Sequence, residues 1–212
     1  MSDPRLNELL KWGIENSDTS KNDPTAEAPK SQLTPELMAA LMGGPSDADL
    51  MKAAMEVITS TEANVTLENK LIAFDNFEQL IEGLDNANNM ENMRLWPPLL
   101  AELKDPEMEL RKMAAWCIGT AVQNNLKTQE RLFAAGGIPT LVEVAMDGKE
   151  HSDVRRKAVY ALSSACRNYQ PAMDACVDEL SKRGAAAEKV DATDMESVDA
   201  IMDPLRESAK AA

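Results

Sequence analysis

The chain has 212 residues, with 36 acidic against 22 basic side chains and a formal net charge of -14. A surface that acidic repels phosphate backbones, which excludes nucleic-acid binding as a property of the whole protein. Aromatics make up 4% and methionines number 13, so the core has to come from Leu, Ala and Met, residues that favour helix over strand.

In chain order, Asp3-Pro4 reads as a helix cap, and Leu6, Leu9, Leu10 and Ile14 then recur at helical spacing with Trp12 on the flank. Residues 15–32 are polar and carry Pro24 and Pro29, a linker that makes 1–32 a flexible N-terminal arm. A short helix and turn fill 33–46, from Thr34 through Met42 to the Gly43-Gly44-Pro45 stop. Beyond Ser46-Asp47 the expected helical stripe is Leu50, Met51, Ala54, Met55 and Ile58. One helix is expected over Thr66–Asp85, a short one over Met90–Arg94, and a Pro-opened one from Trp96 to Leu103. Asp105-Pro106 should cap a long helix ending at Asn124. The rhythm then repeats over Gln129–Ala134, Pro139–Met146 and Ser152–Asn168. After Leu180 the pattern dissolves, and a capping-box match, Thr193 with Glu196, opens one last helix bearing Val198, Ile201, Met202 and Leu205.

The stretch from Leu110 to Asn125 returns at an offset of 44 from Val154 to Tyr169, matching Arg111 with Arg155, Trp116 with Tyr160 and Asn124 with Asn168. A fainter copy, Ile72 to Ala87, lies at an offset of 38 upstream. Repeats of roughly 40–47 residues built from helices mark HEAT and armadillo solenoids. The expected fold is therefore all-α: an armadillo-type helical repeat solenoid over 47–180, with 181–212 supplying a linker and a capping helix for the last repeat.

No constellation for catalysis is visible. His151 is the lone histidine, in a polar turn; Cys117, Cys166 and Cys176 have no metal-ligand spacing and read as reduced core residues. Gly136-Gly137 lacks the Lys-Ser/Thr of a phosphate loop and reads as a helix-to-helix turn. The chain is not expected to be an enzyme or to hold a cofactor or metal. No transmembrane, secretory or lipidation signal stands out, so no membrane partner is expected and the setting is the cytoplasm.

A binding face is better supported. At 100° per residue, Leu110, Met113, Ala114, Cys117 and Ala121 share the packing side of the central helix. Lys112, Trp116, Thr120 and Gln123 share another, followed by Asn124. The equivalents are Arg156, Tyr160, Ser164 and Arg167 in the third copy, and Phe74, Glu78, Glu82 and Asp85, with Asn86 beside them, in the first. Stacked repeats would line these up as a ladder that runs from acidic to basic along the concave face.

The blocks Lys70–Asn89, Leu95–Leu100 and Ile118–Asn125, with Leu9–Ser17 at the start, resemble the armadillo-type nucleotide exchange factors of the seventy-kilodalton heat-shock chaperone, the family of the Fes and heat-shock-protein-binding proteins. The resemblance implies a concave face that grips one lobe of the chaperone's ATPase domain and lets ADP leave. It also implies an N-terminal segment, here carrying Leu6, Leu9, Leu10, Trp12 and Ile14, that assists client release. Longer members continue with a further repeat, which is absent after Leu180. The reading is a monomeric co-chaperone partnered with a heat-shock protein 70 class chaperone. Its rival is an armadillo cargo adaptor holding extended peptides, although Thr120 and Ser164 stand where armadillo peptide receptors such as importin place Asn.

Overall fold

A computed structural model describes residues 44–210. The chain divides into two units, Met1–Ser46 and Asp47–Ala212, and the helices below all belong to the second. The expected arm over 1–32 and the short helix from Thr34 lie outside the described residues.

Helix α1 (Asp47–Ile58) opens with Asp47 and Asp49, whose charges suit a helix N-terminus. It buries Met51, Ala54, Met55 and Ile58 on one stripe. Leu50, expected in that stripe, is 41% exposed instead and lines an apolar groove between α1 and the next helix.

The single helix expected over Thr66–Asp85 is two helices, α2 (Leu67–Ile81) and α3 (Leu84–Asn89). Thr66 caps α2: its Oγ1 accepts the Asn69 amide at 3.2 Å, and Asn69 Oδ1 accepts the Thr66 amide at 3.1 Å. Gly83 makes the break, with backbone so close to the Leu80 carbonyl that a Cβ would sit 3.3 Å away. Apolar spacing runs on through this point, which is why periodicity alone joined the two helices. Residues 90–94, expected as a helix, form turns that end at Arg94 with φ of 57°.

Helix α4 (Trp96–Ala101), with Pro in its first turn, leads through a 3-10 turn (Glu102–Lys104) to α5 (Met108–Val122). Asp105 does not cap α5 directly; its carboxylate accepts the Glu107 amide at 2.8 Å and turns the chain toward the helix. Then come α6 (Leu126–Ala134), α7 (Gly137–Met146), α8 (Ser152–Cys166), α9 (Gln170–Lys182) and α10 (Met195–Lys210). Gly136 joins α6 to α7 as the expected helix-to-helix turn, and its φ of 74° is left-handed. His151 is the N-cap of α8, its Nδ1 accepting the Asp153 amide at 3.2 Å.

The architecture is the all-α solenoid that the repeats predict. Helix α5 packs between α2 and α8, α8 also meets α7 and α9, and α10 lies on α8 and α7. The three cysteines are free and fully buried. The expected capping box at α10 is not formed: the Thr193 hydroxyl donates to Asp191. Asp194 caps instead, accepting the Glu196 amide at 3.1 Å and the Ser197 hydroxyl at 2.6 Å. Val198, Met202 and Leu205 are buried, and Ile201 is partly so.

Candidate functional site

Helices α2, α5 and α8 each have 15 residues. The starts of α5 and α8, Met108 and Ser152, lie 44 apart, the offset read from the repeat. The starts of α2 and α5 lie 41 apart rather than 38. A shift of three residues turns a helix face by about 60°. That is why Phe74, assigned to the ladder, is fully buried in the core. Its neighbour Glu78 falls at the boundary, only 6% exposed.

Seven of the assigned ladder residues converge on one groove. Glu78 and Glu82 from α2 and the turn after it, Trp116, Thr120, Gln123 and Asn124 from α5 and its end, and Tyr160 from α8 line it together. Hydrogen bonds fix the three helices there. Thr120 Oγ1 donates to Glu78 Oε1 at 2.7 Å, so the nearly buried carboxylate keeps a partner. The Tyr160 hydroxyl donates to Gln123 Oε1 at 3.2 Å. Asn124 and Asn168, matched in the repeat, both adopt left-handed backbone, with φ of 52° and 59°, at the ends of α5 and α8. Gly119 seats the groove's aromatic side: a Cβ there would lie 2.4 Å from the Tyr160 ring.

Beside this groove, Lys112, Arg156 and Tyr160 line a second cleft together with Lys157 and Asp153. Lys112 pairs with Glu109, and Arg156 with Asp153 at 3.5 Å. Lys157 was not singled out in the sequence. Its Nζ lies 3.8 Å from the Trp116 ring centroid and 5.8 Å from that of Tyr160, bridging α5 and α8 by cation–π contact. Burial lowers its pKa, and the nearby charges of Arg156 and Lys112 lower it further against the pull of Glu78. Its spacing of three from Tyr160 and four from Asp153 was the available signal.

The other assigned residues stand apart. Asp85 is exposed in the first turn of α3. Asn86 is tied into the scaffold, its Nδ2 donating to Asp47 Oδ2 at 2.9 Å and to the Leu80 carbonyl at 3.0 Å. Ser164 is half-buried, its carbonyl accepting from Gln129 at 2.9 Å. Arg167 is occupied by the capping helix: it pairs with Asp199, whose carboxylate also holds Arg206 at 3.0 Å. Leu6, Leu9, Leu10, Trp12 and Ile14 lie outside the described residues. Among the described residues no cluster of His, Cys, Asp or Glu could hold a metal ion, and no helix is long and apolar enough to cross a membrane.

Residues 6–90 match the family profile described as nucleotide exchange factor Fes1, and residues 86–179 match the SIL1/FES1/HPBP1 C-terminal domain. The Hsp70 nucleotide exchange factor FES1 of Gibberella zeae is 69% identical over 98% of both chains. The chain belongs to the Fes1 family. The Neurospora crassa Fes1 relative is 52% identical over 99% of this chain and 100% of its own. The Candida glabrata relative, 49% identical over 77% of this chain, is longer, with only 56% of its length covered. Among solved structures, an engineered protein superposes with a TM-score of 0.54 at 19% identity, covering 82% of this chain and 71% of its own, which supports the fold alone. Both Fes1-family profiles extend over the groove: the first reaches Glu78 and Glu82, the second Trp116, Thr120 and Tyr160.

Proposed function

We propose that this protein is a nucleotide exchange factor for an Hsp70-class chaperone of the cytosol, gripping the chaperone's ATPase domain with the groove between α2, α5 and α8. The observation that carries the reading is end-to-end identity of 69% with a relative named for that activity. The groove supports it as a built surface, with a buried carboxylate, two aromatic rings and exposed polar groups held by hydrogen bonds between helices. The protein performs no chemistry on the nucleotide. By linkage, a factor that lowers the chaperone's affinity for ADP by some ratio binds the ADP-free chaperone more tightly by the same ratio. The N-terminal stripe from Leu6 to Ile14 would assist client release as a tethered apolar ligand.

The test is the release of labelled ADP from the chaperone's ATPase domain, with and without this protein. Acceleration is expected, and no acceleration at saturating concentration rejects the reading. Glu82→Arg, at an exposed groove position, should raise the half-saturating concentration by about tenfold or more, the effect of inverting a partly desolvated interface charge. Arg167→Glu is a poorer probe of the same face, because it breaks the tie to α10 first.

A further inference from the structure

We infer that the cleft between α5 and α8, walled by Lys112, Asp153, Arg156, Lys157 and Tyr160, is a receptor for a carboxylate side chain on the chaperone's ATPase domain, with Lys157 as the cation that meets it. The inference rests on the exchange-factor reading above and names the chemistry of the partner at one point of the interface.

Three observations converge on Lys157. First, its ammonium is held in place: the Trp116 ring lies 3.8 Å beneath it, so little side-chain freedom is left to lose on binding. Second, its charge makes no ion pair among the described residues, although the Glu78 carboxylate acts on it from beyond pairing distance. Lys112 and Arg156 have their own carboxylates, Glu109 and Asp153, whereas no carboxylate of the described residues lies within ion-pair distance of Lys157 Nζ. A cation–π contact orients a cation without neutralising it. Third, the ammonium is half-buried and faces an open cleft of about 340 Å³, with two further cations and Asp153 on its walls. Three cations stand there against the two carboxylates Glu109 and Asp153, a local excess of positive charge in a protein whose net charge is -14. An arriving carboxylate meets a donor that is already partly desolvated and already positioned. Part of the lysine's share of the desolvation cost of an interface ion pair has been met by folding. The acidic groove beside it, with Glu78 and Glu82, sets the orientation: a partner entering with its acidic group toward α8 and its basic group toward α2 is accepted, and the reversed pose places like charges together.

The test compares Lys157→Met, which keeps an apolar stem against Trp116, with the wild-type protein. Binding to the nucleotide-free ATPase domain is titrated across a salt series, alongside ADP release. The expected result is a Kd raised about 10- to 100-fold and a visibly shallower salt dependence, with the maximal rate of ADP release at saturation retained. Lys104→Met, which removes an exposed cation outside the cleft, should leave both near wild type. Should Lys157→Met lower the melting temperature, Arg156→Gln provides the second probe, and a rise of about threefold or more in Kd is expected. Charge reversal, Lys157→Glu, should be rescued by one Asp- or Glu-to-Lys substitution among those scanned on the chaperone domain. Wild-type stimulation of ADP release together with unchanged Kd and salt slope in the well-folded Lys157 or Arg156 variants overturns this inference and leaves the exchange reading standing. Absence of stimulation by the wild-type protein overturns the exchange reading itself.

Discussion

At the scale of single residues, the arginines matched in the repeat have scaffold roles. Arg111 Nε donates to Glu150 at 2.6 Å, while Nη1 reaches the carbonyls of Asp105 and Pro106 at 2.7 and 2.8 Å. Its repeat partner Arg155 donates to the Ala145 carbonyl at 3.1 Å and to Ser208 at 2.7 Å. The hydrogen bond from Arg111 holds the Glu150 carboxyl below its ordinary value near 4.5. A depressed carboxyl contributes stability that is present above the unfolded value and lost as pH falls through the folded one. Arg111→Leu should therefore cost about 2 kcal/mol at neutral pH. The gap to wild type should narrow below about pH 4.5, as read from urea titrations at several pH values. Gly119 has the opposite kind of role, making room rather than contact. Gly119→Ala would drive a methyl into the Tyr160 ring and toward the Ala161 Cα, 3.2 Å away. We expect a loss of about 1–3 kcal/mol in stability from overpacking. Chaperone binding should also weaken, because the displaced ring leaves Gln123 and Lys157.

At the scale of elements, the sharpest link is Gln129 on α6. Its side-chain amide donates to the carbonyls of Ser164, Ala165 and Arg167 at 2.9, 3.2 and 2.9 Å, satisfying the open C-terminal end of α8. Gln129→Ala should cost about 1–3 kcal/mol. Amide hydrogen exchange should speed up around Cys166 and Arg167; protection equal to wild type would show that water replaces the side chain at no cost. How far sequence reached is also clearest here. The 44-residue offset was legible because α5 and α8 carry the same anchors, arginine one turn in, an aromatic at the centre and a left-handed asparagine beyond the end. Helix α2 has none of those anchors. Its core is Phe74, Phe77 and Ile81, so matching by composition slid the alignment by three residues and turned Phe74 outward. The groove was legible wherever the register was right, from Trp116 to Tyr160. Lys157 and the capture of Arg167 by Asp199 were not, because each depends on contact between side chains of different helices.

At the scale of the whole molecule, α10 closes the far side of α8 where a further repeat could otherwise stack. Val198, Met202, Leu205 and Ala209 make the apolar seal, and Arg206 ties back to Ser163 at 3.2 Å while Arg155 reaches Ser208. Fully burying a side chain the size of Val, Leu or Met is worth roughly 1.5–3 kcal/mol. Removing residues 191–212 should therefore lower stability by about 5 kcal/mol and leave an apolar end that associates with its own kind. A concentration-dependent sedimentation coefficient in the truncated protein would bear this out; an unchanged melting temperature would show that α10 is no seal.

The lysine seated over Trp116 has an optical consequence. Indole emission is sensitive to the electric field across the ring, and a fixed ammonium 3.8 Å from the centroid imposes a strong one. Of the other two tryptophans, Trp96 is 1% exposed in the core and Trp12 lies outside the described residues. With Trp12 and Trp96 changed to Phe, the colour of the remaining emission reports whether that ammonium stands alone or has been neutralised. A partner carboxylate docked on Lys157, as inferred above, would then be visible without any added label.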